Sequence, residues 1–481
     1  MYSLLEAKEL TLDSQGFIDF DDSRNVKRLI EYADEFRMGE RWNAYTSYNI
    51  EYERETHPDD TDISITNYVQ TLVDKSVQYF IGKGIEAVID DAEYQQLYEA
   101  TLRESGGTNV FMKAAMAAAI TGDAYIKVTW EDFSPTSWER VVEGRKGRVV
   151  IQVLDTQSVV PVFTNTGEII AFIRLIPVGY GLTEFEYEVY ERGIVRKVSS
   201  KGKELSSYEY GIPEFLIIHI PNLSQPGTFF GDSEAKRMVA LSRELNDRQL
   251  DVGDIIDFHA SPLIILKGVK TSQVERSPDR IWSGFPKDSD AQVLNTLSDL
   301  SGASNHVDSL KQSLAEITGI PKLAWGEIPP ISNTSGAALN VLYLPLEGLR
   351  ERKKAAFDTP FRKLVRLIIW IYSAQEVVDA RPYKLETVYN SPIGRQRNEI
   401  VDEIIQRRKY GLISLKKSLE MLGEGEDEYN TLLSEFQMLS KEHPELFVGL
   451  FPELSKSMIN YPEEFSEEEG QKIAKNLENL E

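Results

Sequence analysis

In Phe230-Gly231-Asp232-Ser233 residue type and spacing come nearest to a catalytic motif. A serine after Gly-Asp is how FGDS-type serine hydrolases present a nucleophile, and that serine needs a base and an acid to orient the base. The base in this chemistry is a histidine three residues after an aspartate. The five histidines are His57, His219, His259, His306 and His443, and none has an aspartate at that position. Gly231-Asp232-Ser233 also stands where a helical pattern begins, and Asp or Ser there caps free backbone amides. Acidic pairs such as Asp59-Asp60 and Asp288 with Asp290 could take a hard cation, as a metal-dependent nuclease would require. With 77 acidic residues such pairs arise by chance, and they read as solvated surface. His306 reads as a polar first-turn residue. There is no phosphate loop, no H-E-x-x-H pair and no G-x-S-x-G elbow. The expectation is a protein without catalytic residues, cofactor or metal, with the hydrolase or nuclease as the alternative.

The absence of cysteine removes disulfides and thiol chemistry. Of the 481 residues 41% are hydrophobic and 27% charged, which is globular rather than disordered. The opening MYSLLEAKEL does not read as a signal peptide, and the apolar run near Leu364–Ile371 is too short to cross a membrane and is interrupted by Arg366. A soluble, intracellular chain is expected. Net charge is −24, so the chain as a whole repels DNA; this suits a passage that must not hold what slides through it. Against that background, residues 350–366 carry seven basic and two acidic side chains. They read either as a contact with phosphate or an acidic neighbour, or as a solvated helix face.

Periodicity places the elements. Helical spacing predicts helices over 22–40, 65–80 and 110–120, and residues 148–198 read as antiparallel strands separated by Gly, Pro and Asn. Residues 232–259 read as one long helix and 304–318 as a second. Between them lies a small island with strands at Leu263–Leu266 and Ala291–Leu297. Residues 320–335, with Pro321, Pro329 and Pro330, read as an exposed loop. A helix from Gly336 to about Ser373 follows, with kinks expected at Pro345 and Pro360. Residues 391–481 are mostly helical and end acidic.

Several short motifs, in order, resemble the portal protein family of tailed bacteriophages, the head-to-tail connector rings of siphophage type. Thr121-Gly122-Asp123-Ala124-Tyr125 is similar to the family's Gly-Asp-Ala-Tyr element after an alanine-rich helix. Asn67 to Gly84 resembles its early helix-then-glycine segment. Phe230-Gly231-Asp232-Ser233 with Glu244-Leu245-Asn246 resembles the start of its first channel helix, and Ala260-Ser261-Pro262 with Gly268 its exit. Gly319-Ile320-Pro321 and Ser335-Gly336-Ala337-Ala338-Leu339 look like flanks of a channel loop. Tyr410-Gly411-Leu412-Ile413-Ser414 and Leu422-Gly423 resemble the C-terminal helical region. The resemblance runs over roughly residues 30–430.

It implies an α+β subunit of a ring, usually of twelve copies. Residues 1–231 would form a mixed α/β wing, 232–261 and 301–319 a two-helix stem, and 262–300 a small β-containing clip. Residues 320–335 would be the tunnel loop, 336–390 a kinked wing helix with a return strand, and 391–481 a helical crown. The ring would sit at the capsid vertex of the virion, after assembly in the host cytoplasm, and pass double-stranded DNA during packaging and ejection. Its implied partners are major capsid and scaffolding protein, the terminase large subunit and a head-completion or adaptor protein, with no membrane. The candidate channel residues are Lys322, Trp325, Glu327, Ile328, Ile331 and Asn333. The candidate subunit-interface residues are Arg350, Arg352, Lys353, Lys354, Arg362 and Lys363. Glu234, Glu244, Asp247, Asp251, Asp254 and Asp257 outnumber the basic residues of the first long helix, so an acidic channel wall is expected.

Overall fold

A computed structural model describes residues 10–38, 66–163, 168–178, 184–224, 226–260, 263–267, 288–294, 300–326, 341–390, 392, 397–410 and 412–423, with single positions and short stretches between 428 and 438. The helices are α1 (Ser23–Met38), α2 (Tyr68–Ile81), α3 (Ala92–Glu104), α4 (Asn109–Thr121), α5 (Glu234–Ala260), α6 (Leu300–Thr318), α7 (Leu344–Ala374), α8 (Arg397–Lys409) and α9 (Leu415–Leu422). The strands before α5 are β1 (Ile85–Ile89), β2 (Asp123–Asp132), β3 (Gly147–Leu154), β4 (Val159–Phe163), β5 (Ile169–Val178), β6 (Glu184–Glu191), β7 (Ile194–Val198), β8 (Glu204–Glu209) and β9 (Ile217–Pro221). After it come β10 (Leu263–Lys267), β11 (Asp290–Leu294) and β12 (Leu385–Tyr389).

Local chemistry explains the boundaries. Asn67 caps α2 by accepting from the Gln70 amide at 3.0 Å. The helix buries Val69, Leu72, Val73, Val77 and Phe80 at helical spacing. Asp91 caps α3 through the amides of Glu93 and Tyr94. In α4 the small side chains of Ala114, Ala115, Ala118 and Ala119 are buried, which brings the helix close to β2. Gly122 then ends it in the left-handed region at φ +97°. β2 is the middle strand of a three-stranded antiparallel sheet, β3-β2-β9. It is buried at nearly every position from Asp123 to Val128, as a strand covered on both faces must be.

The other large sheet is an antiparallel meander, β4-β5-β6-β7-β8. One face of it, with Val160, Val162, Ile173 and Val189, packs with Val26, Leu29, Ala33 and Phe36 of α1 into a core of its own. The main core lies around α7, whose Phe357, Phe361, Leu364, Val365 and Ile368 pack among α2, α4 and the three-stranded sheet. The ring of Phe361 meets Phe111 edge-on at 5.2 Å, and Phe357 meets Phe80 at 5.5 Å. β12 returns from α7 to pair antiparallel with β1, Ile85 opposite Tyr389.

Two features of α7 bear on the kinks expected at Pro345 and Pro360. The helix begins at Leu344, so Pro345 sits in the first turn, where its missing amide hydrogen has no helical partner to lose. Residues 341 and 342 before it are helical, with Tyr343 in a turn between. Pro360 is interior and buried, and the helix continues past it to Ala374. Ser335 and Gly336 to Asn340 lie outside the described residues.

The chain divides into two units, Met1–Pro392 and Ile393–Glu481. In the second, α8 packs against α9. Ser414 caps α9 through the Lys417 amide, and Gly423 at φ +83° ends it.

Gly122 and Gly231 approach one another closely. A Cβ on Gly231 would lie 2.1 Å from the Gly122 carbonyl oxygen and 2.3 Å from the Asn222 amide nitrogen, all of it backbone that cannot swing aside. A Cβ on Gly253, in α5, would meet nothing within 4 Å. Gly231→Ala is therefore expected to destabilise the chain by about 3 kcal/mol or more. Gly253→Ala should stabilise it by up to about 1 kcal/mol through helix propensity. Urea denaturation of both variants checks the contrast; equal stabilities would mean that the glycine contact is not needed.

Candidate functional site

The two segments that most resemble known motifs meet in space. Asp123, at the start of β2, is fully buried, and its Oδ1 lies 2.6 Å from His219 Nε2 on β9. The same oxygen accepts from the Gly231 amide at 3.0 Å. The Gly122 carbonyl accepts from the Asn222 amide at 2.8 Å, and the Asp232 amide donates to the Asn222 carbonyl at 2.7 Å. The His219 ring stacks on Phe229 with centroids 4.1 Å apart.

Ser233 is the N-cap of α5. Its Oγ accepts from the Lys236 amide at 3.0 Å and donates to the Ile120 carbonyl in a short bond. A nucleophilic serine would give its proton to a base; this one gives it to a backbone carbonyl, while His219 is engaged with Asp123. The Asp232 carboxylate is paired with Arg237. The hydrolase alternative therefore has no geometry to support it, and the capping expectation holds. Among the described residues no group of three or more His, Asp or Glu side chains could hold a metal ion, and no helix is long and apolar enough to cross a membrane. Asp59 and Asp60 lie outside the described residues, and His306 is exposed.

From this junction α5 projects away. Met238, Val239, Ser242, Leu245 and Asn246 are buried, and no described position beyond Asn246 in this helix is. α6 mirrors it: Val307 and Leu310 are half-buried, Leu314 and Ala315 near its end are buried, and Ile320 follows in the core. The buried ends are the start of α5 and the end of α6, so the pair is antiparallel. The 27 residues of α5 span about 40 Å at ~1.5 Å each. Beyond the pair, β10 and β11 form an antiparallel two-stranded ladder, Leu263 opposite Leu294. On the projecting part Arg248 bridges Glu244 at 3.0 Å and Asp251 at 2.5 Å.

Glu234 does not belong to any exposed wall. Its carboxylate is buried and meets Lys353 Nζ at 2.7 Å. Ser76 Oγ donates to the other carboxylate oxygen at 2.7 Å and accepts from Lys353 Nζ at 2.7 Å. Asn222 Nδ2 adds a bond at 3.0 Å. Burial pushes the Lys353 ammonium below the usual lysine range, and the Glu234 carboxylate acts in the opposite sense. The network joins α2, α5, α7 and the end of β9.

Of the six candidate interface residues, two are therefore internal. Lys353 is 4% exposed. Arg350 is also buried and binds Glu347 at 2.6 Å and the carbonyls of Tyr389 and Asn390 at 3.2 Å. Both stand on the buried stripe of α7, and their partners belong to the same subunit. Lys354 pairs with Glu351 at 3.5 Å. Arg362 binds Asp358 at 2.7 Å and the Leu385 carbonyl at 3.0 Å. Arg352 and Lys363 are exposed.

Of the candidate channel residues, Lys322 and Trp325 form one 3-10 turn ended by Gly326. Trp325 is half-buried, packed on the core with its ring 6.4 Å from Tyr68, so it anchors the segment instead of projecting from it. The turn Lys322–Trp325 is therefore not an exposed loop, because an indole gains more against the core than in water. Lys322 Nζ reaches the Asp308 carbonyl at 3.4 Å. Glu327, Ile328, Ile331 and Asn333 lie outside the described residues.

Sequence reasoning missed the Lys353–Glu234 network and the Asp123–His219 pair. The first had a signal: Leu346, Arg350, Lys353, Phe357 and Phe361 recur at spacings of three and four along α7, which places two cations on an apolar stripe.

The described residues thus form a mixed helix-and-sheet body with a projecting helix pair, and Ser233 caps the first of the two helices. The sequence matches the family described as "Phage portal protein, SPP1 Gp6-like" over residues 17–443, and the chain belongs to that family. Among solved structures it is similar to a chain in the neck of an empty gene transfer agent particle computed with C6 symmetry, at 14% identity and TM-score 0.43. A chain in the neck of the native particle computed with C12 symmetry is similar at 13% and 0.43, and one in the native virion at 13% and 0.41. Each match covers 74% of this chain and 88% of the other. No curated protein matches.

Because the Lys353 network is closed inside the subunit, removing one partner strands the other charge. Lys353→Met is expected to cost about 3–5 kcal/mol, whereas Lys353→Met with Glu234→Gln should recover most of that loss. Urea denaturation of the single and double variants measures it. A double variant no more stable than the single would show that the pair is not coupled.

Proposed function

We propose that copies of this chain assemble into a ring at the capsid vertex and that α5 and α6 line its channel, through which double-stranded DNA is packaged and ejected. Membership of the portal family supports the class of function. The observation that carries the rest is the antiparallel helix pair rooted in the main core and bearing a two-stranded ladder at its far end. A two-stranded ladder on its own is marginal in water. Neighbouring copies in a ring supply the missing contacts, as closed symmetry does for surfaces that a monomer leaves open.

In this reading the far end, 262–300, is the docking platform for terminase and for head-completion protein, and the body meets capsid and scaffolding protein. The stretch after Gly326 is the constriction, with Glu327, Ile328, Ile331 and Asn333 facing the DNA and Lys322 at its base. Beyond Asn246 the described part of α5 carries Asp247, Asp251 and Asp254 against Arg248, in a chain of net charge −24. Few counterions would then be released from DNA, and the wall lets the duplex slide.

Native mass and negative-stain imaging of purified protein test the assembly. Hollow rings with weak binding of linear duplex DNA at physiological salt are expected; monomers or small oligomers under all conditions would sink the proposal.

A second experiment isolates the constriction. Replacing 328–333 by a Gly-Ser link should leave ring mass and thermal stability nearly unchanged and impair DNA packaging or retention. Heads that fill and hold DNA normally would remove the loop from the mechanism.

A further inference from the structure

The solvent-facing side of α7 carries a charge that the fold itself does not use. Of the seven cations between 350 and 366, four are matched inside the subunit: Arg350, Lys353, Lys354 and Arg362 meet Glu347, Glu234, Glu351 and Asp358. Those pairs also occupy both carboxylates of the stretch, Glu351 and Asp358. Arg352, Lys363 and Arg366 are exposed and have no ion-pair partner among the described residues; Arg366 reaches the uncharged hydroxyl of Tyr383. At ~100° per residue the three fall within about 60° of one another around the helix. Ala355 and Thr359 are exposed between them and small, so the stripe is an unobstructed track about 21 Å long at ~1.5 Å per residue.

A cavity opens beside this track. Its volume is about 250 Å³, Thr359 and Lys363 border it, and Phe172, Phe215, Phe229 and Leu367 wall it. His219, also on the wall, is bonded to the buried Asp123 at 2.6 Å. Arg192 at the rim pairs with Glu168 at 3.5 Å, and its guanidinium lies 5.2 Å from the Phe215 ring. Glu214 is the one carboxylate in the lining, and it accepts from the Phe215 amide at 3.3 Å. Track and rim together set Arg192, Arg352, Lys363 and Arg366 against Glu168 and Glu214, four positive charges to two negative, on a chain of net charge −24.

A ligand that uses both features needs carboxylates or phosphates in a row and one large apolar group. Duplex DNA offers the charge, but its phosphate backbone has no apolar group to place in the cavity. An extended peptide offers both, since about seven residues at ~3.3 Å each span the track and one side chain can turn into the cavity beside Lys363.

We propose that this face of α7 binds an acidic, extended segment of a partner protein, with its carboxylates along Arg352, Lys363 and Arg366 and one aromatic side chain in the cavity. Charge selects the partner here, and the cavity fixes its register. Track and cavity belong to one subunit, so this recognition does not depend on the ring reading above.

Fluorescence anisotropy of a labelled peptide with the full-length protein tests it. The probe is about seven residues long, a phenylalanine between two runs of glutamate. Saturable binding that weakens as salt rises is expected, because exposed charges are screened. Arg352→Glu with Lys363→Glu should weaken it by about tenfold or more; both side chains are exposed, so the fold should be unaffected. Replacing the peptide's phenylalanine by alanine should weaken it by about tenfold on its own, a readout that needs no variant of the protein. A wild-type chain that ignores the peptide, or holds the alanine peptide equally well, overturns the proposal, as does unchanged binding in the charge-reversed variant. Two other results also overturn it. A short duplex that displaces the peptide and loses affinity in the same variant would make the track a phosphate seat. Rings that fail to form in that variant while the peptide still binds would make it a contact between copies.

Discussion

The ammonium of Lys353 and the carboxylate of Glu234, sealed 2.7 Å apart in the main core, tie together the parts of this subunit that must not move relative to one another. Each charge would be costly in that setting without the other. Glu234 is the first residue of α5, Lys353 lies on the buried stripe of α7, and Ser76 of α2 bonds to both. The start of the projecting helix is therefore held by a charge pair and the hydrogen bonds around it. Asn222 adds the end of β9, and through the Gly122 carbonyl and the Gly231 amide the same junction reaches α4 and β2. A helix about 40 Å long acts as a lever, and small rotations at its root become large displacements at its tip. The polar root supplies direction, while Leu314, Ile320 and Trp325 pack the returning helix onto the same core.

Much of this was legible in the residues. The long helix was expected to start at 232 and starts at Glu234; the alanine-rich helix and the strand after Gly122 fall where composition and the glycine put them. Such elements declare themselves by local signals: caps, glycines at positive φ, and apolar stripes. What stayed hidden depends on contacts distant in sequence. Asp123 and His219 are 96 positions apart, and Ser76 and Lys353 are 277 apart. Nothing in the neighbourhood of either residue announces its partner. β1 and α3, between residues 85 and 104, escaped because their short apolar runs, Ile85-Glu86-Ala87-Val88-Ile89 above all, make sense only once β12 lies beside them. Pro345 lies in the first turn of α7 and Pro360 in its interior, because a proline can open a helix or interrupt one, and only the flanking backbone decides which.

The basic stretch 350–366 shows how far a charge count can mislead. Read along the chain it is a reversal of sign against an acidic background. Read in space it divides: Arg350 and Lys353 turn inward to Glu347 and Glu234, Lys354 and Arg362 are matched by Glu351 and Asp358 on their own helix, and Arg352, Lys363 and Arg366 are exposed. A cation on a buried stripe is bound to its own fold, since leaving it unpaired there costs more than any surface contact returns. The division follows from solvation. Charges near the core are committed when the chain folds, and only those kept in water retain energy for assembly.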